Sequence, residues 1–150
     1  MRRMLLVALV LVGIGGCRRT AGGVEPGTLT SQLAVQQFID AAKAQDLQAL
    51  SAVWGNAEGP VRDRAERREL EQRLLLIVCH LRHDESRIGP PEPGEGGRVQ
   101  YRVELTQGTL KAAPLFKTIK STRTGRWFVE DFEFASTRAF CSTNRSAPPA

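Results

Sequence analysis

The stretch VQYRVEL (residues 99–105) alternates apolar with polar side chains. This period of two is typical of a strand with one buried face. Two further strands are predicted after it, LFKTIKS (115–121) and WFVEDFEF (127–134), and a short strand is predicted before it at 84–89. The intervening PPEPGEGG (90–97) is predicted to be an exposed loop, because proline cannot donate to a sheet ladder. These segments together predict an antiparallel sheet.

Three helices are predicted upstream of the strands. The first begins after Thr30 or Ser31, and Asp46 is the expected N-cap of the second. The third covers 62–81, and its continuous apolar run at 74–78 predicts burial on more than one side. Because helices come first and strands afterwards, the predicted class is α+β, with helices packed on one face of a curved antiparallel sheet.

The amino terminus has the pattern of an export signal. Two arginines at 2–3 precede an apolar run at 4–12 and a glycine-rich segment that ends at Cys17. The apolar run is shorter than the roughly 20 residues that a spanning helix needs. Residues 1–16 are therefore predicted to be a signal peptide that is removed. The arginine pair also leaves the twin-arginine export route open.

Residues 14–17 (IGGC) resemble the lipobox of bacterial lipoproteins. The resemblance implies that Cys17 becomes the first mature residue and carries diacylglycerol and an acyl chain such as palmitate. The protein would then be anchored on the extracytoplasmic side of a membrane in the cell envelope. Arg18 is not the aspartate that resembles an inner-membrane retention signal, which favours an outer membrane where one exists. A secretory signal cleaved without lipid attachment stays open, because Gly15 and Gly16 also suit that peptidase.

Length and charge define the remaining organisation. Two of the 21 basic residues lie in residues 1–16, so removal of the signal lowers the net charge from +5 to +3. Arginines at 62–68 alternate with acids, which is typical of a solvated helix face, and no nucleic-acid binding is predicted. Residues 17–29 are expected to form a lipidated cysteine and flexible tether, 30–141 a single domain, and 142–150 a disordered tail.

The cysteine count agrees with export. With Cys17 assigned to lipid, Cys79 and Cys141 remain, and an even remainder in an oxidising compartment predicts a disulfide. The closed loop is worth around 4 kcal/mol in the chain-entropy treatment. The alternative is a buried free thiol at Cys79, since it follows an apolar run.

The order of elements resembles the NTF2-like superfamily, whose domains are cone-shaped. The resemblance covers roughly residues 30–135 and is carried by Phe38-Ile39, by DLQAL (46–50) and by GRWFVEDF (125–132). The chain resembles the small bacterial lipoproteins of this superfamily that carry a domain of unknown function. The superfamily includes isomerases, dehydratases, adaptors and binding modules, so the fold does not choose among them.

A cluster of His80, His83 and Asp84 has the composition of a metal or acid–base site. A zinc site needs three or four ligands in a fixed arrangement, and these residues stand where a helix ends. Histidines are also favoured at helix C-termini by the macrodipole. No metal and no cofactor are therefore predicted, and His83 is kept as a candidate base.

NTF2-like enzymes, by the resemblance, place an acid inside the cone. Asp131 is the candidate here, expected to share a side of the last strand with Glu133, Trp127 and Val129, and it could act as a base if its pKa were raised. Tyr101 is the candidate polariser. The alternatives are a position at a sheet edge or an ion pair with an arginine for Asp131, and a core position for Tyr101.

Three classes of function follow. The leading one is a non-enzymatic, lipid-anchored envelope protein that binds a small apolar ligand or another envelope protein. The second is an isomerase or dehydratase that uses Asp131 or His83 as base and Tyr101 as polariser. The third is a homodimer formed through the sheet. A cone filled by Phe128, Phe132 and Phe134, expected to share a face, would exclude the ligand pocket and leave an interaction role.

Overall fold

The computed structural model describes residues 25–143, so the predicted signal peptide and Cys17 lie outside the described part of the chain. Its helices are α1 (Ser31–Ala44), α2 (Leu47–Val53), α3 (Arg67–His80) and α4 (Arg138–Thr143). Its strands are β1 (Gly55–Asn56), β2 (Gly59–Pro60), β3 (Glu85–Pro93), β4 (Val99–Gln107), β5 (Leu110–Ala112), β6 (Leu115–Lys120) and β7 (Trp127–Phe132). The helices pack on an antiparallel sheet, which confirms the predicted α+β class. Across these residues no helix combines the length and the apolarity needed to cross a membrane.

The main sheet has the order β3-β4-β6-β7, and β5 pairs with the end of β4 that β6 leaves free. Its register shifts twice, between Ile88 and Pro91 on β3 and between Lys117 and Thr118 on β6. Such irregularities bend a strand and increase its twist. They therefore curve the sheet around α1, which lies across it.

Strand β3 corrects the expected loop at 90–97. It continues to Pro93 and pairs Pro91 with Tyr101 and Pro93 with Val99. Proline is accepted because β3 is an edge strand and a register shift precedes Pro91, where a missing N–H costs little. The chain reverses only afterwards, at 95–97, where two glycines take positive φ. The prediction that this segment is largely exposed is confirmed.

The helix starts follow their caps. Thr30 Oγ1 accepts a hydrogen bond from the backbone N–H of Leu33 at 3.2 Å, and Asp46 accepts one from Ala49 at 2.9 Å. The third helix begins at Arg67, later than the predicted residue 62, because Glu66 caps it. Hydrogen bonds from backbone N–H groups of the first turn lower the pKa of Glu66.

Helix α3 is buried on one side, whereas burial on several sides was expected. Leu74, Ile77 and Val78 face the core, but Leu75 and Leu76 are at least half exposed. A single apolar stripe at helical spacing is enough to bind α3 to the domain.

Both ends of the predicted domain extend further than expected. Thr28, assigned to the tether, exchanges backbone hydrogen bonds with Trp127 at 3.0 and 2.8 Å. Helix α4 includes residues 142–143, which were assigned to a disordered tail, and Phe140 on it is buried. The chain also contains the predicted disulfide between Cys79 and Cys141, which ties α4 to the end of α3.

Candidate functional site

The interior of the fold is occupied by aromatic side chains. Phe38 on α1 meets the rings of Phe116 and Phe132 edge-on, with centroids 6.2 and 6.4 Å apart, and the last two rings stack at 5.4 Å. The space left beside them is about 60 Å³. It is lined by Phe38, Trp54, Ile77, Val129, Glu130, Asp131, Phe132 and Phe134. Pockets for small molecules are usually about 300–1,000 Å³, so this space admits water rather than an organic ligand.

The phenylalanines of the last strand are not arranged as expected. Of the predicted three, Phe132 is buried in the aromatic interior and Phe134 borders the remaining space. Phe128 is buried elsewhere, against Gly27 and Gly55, where a Cβ would come within 2.7 Å of its ring. Phe134 leaves the strand for a 3-10 turn and lies on Phe132 and His80 at centroid distances of 4.0 and 5.2 Å.

The cause is the register shift opposite Glu130. Thr118 pairs with Val129 while Lys117 pairs with Asp131, so Glu130 has no direct partner on β6. An extra residue of this kind reverses the alternation of faces beyond it. Val129 therefore joins Phe132 in the core, and Phe128 turns the other way. The expected grouping of Asp131 with Val129 is wrong for the same reason.

Asp131 lies on the outer surface of the sheet. Its carboxylate is about half exposed and lies 3.9 Å from the Lys117 ammonium. Glu133 has a similar partner, Arg102, at 3.7 Å. This is an exposed ion pair on the outside of the sheet, away from the interior position that the resemblance implied for a catalytic acid.

Tyr101 is a core residue. It is buried under α1, and its hydroxyl lies 2.7 Å from Ser31 Oγ at the first turn of that helix. The phenol is therefore already hydrogen-bonded across the interface between β4 and α1.

His83 is buried, and its Nδ1 lies 2.7 Å from the carbonyl oxygen of Leu81. A carbonyl oxygen only accepts, so Nδ1 carries a proton and donates it. His80 instead contacts Thr137 Oγ1 at 3.1 Å, and Asp84 accepts from the backbone N–H of Gly108 at 2.7 Å. The three side chains thus turn to separate partners. Within residues 25–143 no group of His, Cys, Asp and Glu is placed to hold a metal ion.

A polar groove on the outer face of the sheet was not predicted. It has a volume of about 700 Å³ and is lined by Pro93, Gly94, Glu95, Arg98, Gln100, Lys117, Glu130 and Asp131. At its centre the guanidinium of Arg98 donates two hydrogen bonds to the Glu130 carboxylate, at 2.5 and 2.8 Å. This paired contact raises the pKa of Arg98. The alternation of charged residues along β4 indicated that one face of this strand is exposed. The sequence did not indicate that Arg98 pairs with Glu130, 32 residues later.

Comparison with protein-family models gave no match, and comparison with curated proteins gave none either. Among solved structures, the phospholipid-binding protein from Ralstonia solanacearum, in complex with a phospholipid, is similar to this chain with a TM-score of 0.42. The two are 14% identical, over 79% of this chain and 84% of that one. A likeness this remote assigns neither family nor ligand, so function is inferred from the geometry of this chain.

Proposed function

We propose that this protein is a lipoprotein of the bacterial cell envelope, acylated at Cys17, whose NTF2-like domain binds a partner through its outer surface. One observation carries the choice of surface over interior. The interior space beside Phe38, Trp54 and Phe132 is about 60 Å³, which is too small to enclose an organic ligand.

The compartment is supported by two independent features. IGGC at 14–17 resembles a lipobox, and the described domain contains a disulfide between Cys79 and Cys141. Disulfides persist in oxidising spaces such as the periplasm and are rare in the cytoplasm. An extracytoplasmic site, with an outer membrane favoured by Arg18, fits both features.

A binding role is supported over an enzymatic one by the positions of the candidate residues. Asp131 is exposed on the outside of the sheet, Tyr101 is buried beneath α1, and His83 is buried at the end of α3. Acid–base catalysis requires such groups to converge within hydrogen-bond reach of one substrate. Asp131, Tyr101 and His83 lie in three separate parts of the domain and do not converge on one site.

The outer groove is the surface we assign to the partner. It presents both signs of charge in fixed positions, because Arg98 is held by Glu130 and Lys117 lies beside Asp131. Mixed charges of this kind give specificity for a protein surface of complementary pattern. A second copy of the chain is the alternative partner, since a surface with both signs can face itself across a two-fold axis.

The anchor is tested by fractionation of cells that express the full chain. The wild type should sediment with membranes, dissolve in detergent and carry acyl mass on its first mature residue. Cys17→Ser should release the protein, because no acyl acceptor remains. A matched control is the double variant Cys79→Ser/Cys141→Ser, which loses two cysteines but keeps the acceptor and should stay on membranes. A Cys17→Ser protein that still sediments contradicts the anchor.

The binding surface is tested by a photo-crosslinking residue placed at Gln100 in the groove, with Glu71 on α3 as the control position. A discrete adduct from position 100 that disappears with Lys117→Glu supports the groove. An adduct of twice the chain mass identifies the homodimer. A stoichiometric lipid extracted from the purified Cys17→Ser protein would instead place a ligand inside the fold and refute the proposal.

A further inference from the structure

We infer that Leu29 and Leu33 form an apolar contact that inserts into the bilayer to which the anchor attaches, so that the domain is oriented on the membrane rather than merely tethered to it. The inference rests on the proposed acylation of Cys17. Below, these two side chains are called the leucine foot.

The leucine foot is exposed apolar surface on the described domain. Leu29 is 74% exposed and Leu33 is 40% exposed, four residues apart at the start of α1. A residue in the position of Leu29 often packs on the fourth residue of the helix that follows. Here that residue is Ala34, which is fully buried, and Leu29 points into solvent instead.

The leucine foot is also held in place. Thr28 is bonded to Trp127 through both its N–H and its carbonyl group, and its hydroxyl donates to the carbonyl of Thr30 at 2.7 Å. Gly27 donates to Ala52 at 2.8 Å. Leu29 therefore stands between two fixed residues, and its exposure does not come from a loose end of the chain. A rigid presentation lowers the entropy cost of any contact it makes.

The short segment between Cys17 and the domain is the reason to infer that the leucine foot contacts the bilayer. The described domain begins at Glu25, eight residues after Cys17. Eight residues span at most about 28 Å when fully extended. An acylated Cys17 would thus keep the leucine foot within reach of the lipid surface at all times, and tethering of this kind makes a weak contact effective.

The charge around the foot agrees with a lipid surface. The first turn of α1 contains no acidic residue, and the neighbouring exposed side chain Gln32 is neutral. Arg18 and Arg19 lie between the foot and the anchor in sequence, and basic residues beside a bilayer attract anionic headgroups. Nothing in the first turn would repel such a surface.

The test uses the full acylated chain in vesicles of phosphatidylglycerol and brominated phosphatidylcholine, whose bromines quench tryptophan within the acyl region. Leu29→Trp adds a reporter at the foot, and Leu33→Trp is a second reporter in case the first is tolerated poorly. Leu75→Trp is the matched control, because Leu75 is 57% exposed on α3. Quenching is measured as the difference from the wild type, which contains Trp54 and Trp127. Flotation of the vesicles reports the anchor separately.

We expect all variants to float with the vesicles. The fluorescence added at positions 29 and 33 should shift to the blue in vesicles without bromine and be quenched in brominated vesicles, whereas that at position 75 should be unaffected. Variants that float with unquenched foot reporters would overturn the leucine foot and leave the lipoprotein proposal intact. Equal quenching at 29 and 75 would also overturn it, because the domain would then lie on the membrane without orientation. Failure of the wild type to float would remove the anchor and the foot together.

Discussion

The hydroxyl of Tyr101 lies 2.7 Å from Oγ of Ser31, which joins the middle of β4 to the first residue of α1. The bond explains how a lone tyrosine is accommodated in the core, since a buried hydroxyl needs a partner. It also gives Tyr101 a structural role in place of the polarising role that its strand position suggested. The same contact fixes the beginning of α1 against the sheet, next to Leu29 and Leu33.

Tyr101→Phe should lower the free energy of unfolding by about 1 kcal/mol, because one net hydrogen bond is lost while the ring continues to fill its space. Urea unfolding measures the change. Ser31→Ala should give a similar loss, and the double variant should cost less than the sum because the two share one interaction. Strict additivity of the two changes would contradict a direct bond.

The disulfide should contribute strongly to the attachment of α4. Cys79→Ser/Cys141→Ser removes both thiols and should destabilise the domain by about 2–5 kcal/mol, the usual range for loss of a native disulfide in a small domain. Urea unfolding without reductant compares the variant with the wild type. Backbone hydrogen exchange near Phe140 should rise, since this buried residue lies on α4. A wild type whose unfolding is unchanged by reductant would contradict this role.

The fold class could be predicted from the sequence because the apolar period changes once, from helical spacing before residue 81 to alternation after residue 99. The helix caps at Thr30 and Asp46 were predictable for a similar reason, as a short polar side chain satisfies the first N–H groups wherever a helix starts. Local chemistry decides these features, so a local pattern was sufficient.

Long-range contacts decide the features that were missed. Pro91 and Pro93 belong to a strand only because β3 lies at an edge of the sheet, and edge position depends on the whole topology. The position of Phe128 depends on the extra residue at Glu130, where the pairing of β7 with β6 shifts register, and the sequence of β7 alone does not reveal this shift. The expected neighbours of Asp131 were wrong for this reason, since the extra residue at Glu130 separates the face of Asp131 from that of Val129.

The aromatic interior predicts a contrast between two neighbouring phenylalanines. Phe132→Ala should lower the free energy of unfolding by about 3–5 kcal/mol, because it empties a packed site between Phe38 and Phe116. Phe134→Ala is the matched control and should cost less, since that ring is 36% exposed. The Phe132 variant should also bind more xenon than the wild type, because the substitution enlarges the space of about 60 Å³ beside this ring. Equal xenon binding by the two proteins would contradict the packed position of Phe132.

His80 should make stability depend on pH below neutrality. Burial lowers the pKa of His80 from its ordinary 6.5, and the positive charge of Arg138 lowers it further, against an opposing hydrogen bond with Thr137. The unfolded chain therefore binds a proton at a higher pH than the folded one. The contribution of neutral His80 is present above about pH 6.5 and is lost as the pH falls through the lowered folded-state pKa.

His80→Asn keeps a polar partner for Thr137 and removes this titration. Urea unfolding between pH 7.5 and 5.0 should show a smaller loss of stability for the variant than for the wild type. Protonation of carboxylates affects both proteins equally, so the difference between them reports His80. An equal or larger loss in His80→Asn would show that His80 is not protonated at a lower pH in the folded state than in the unfolded one.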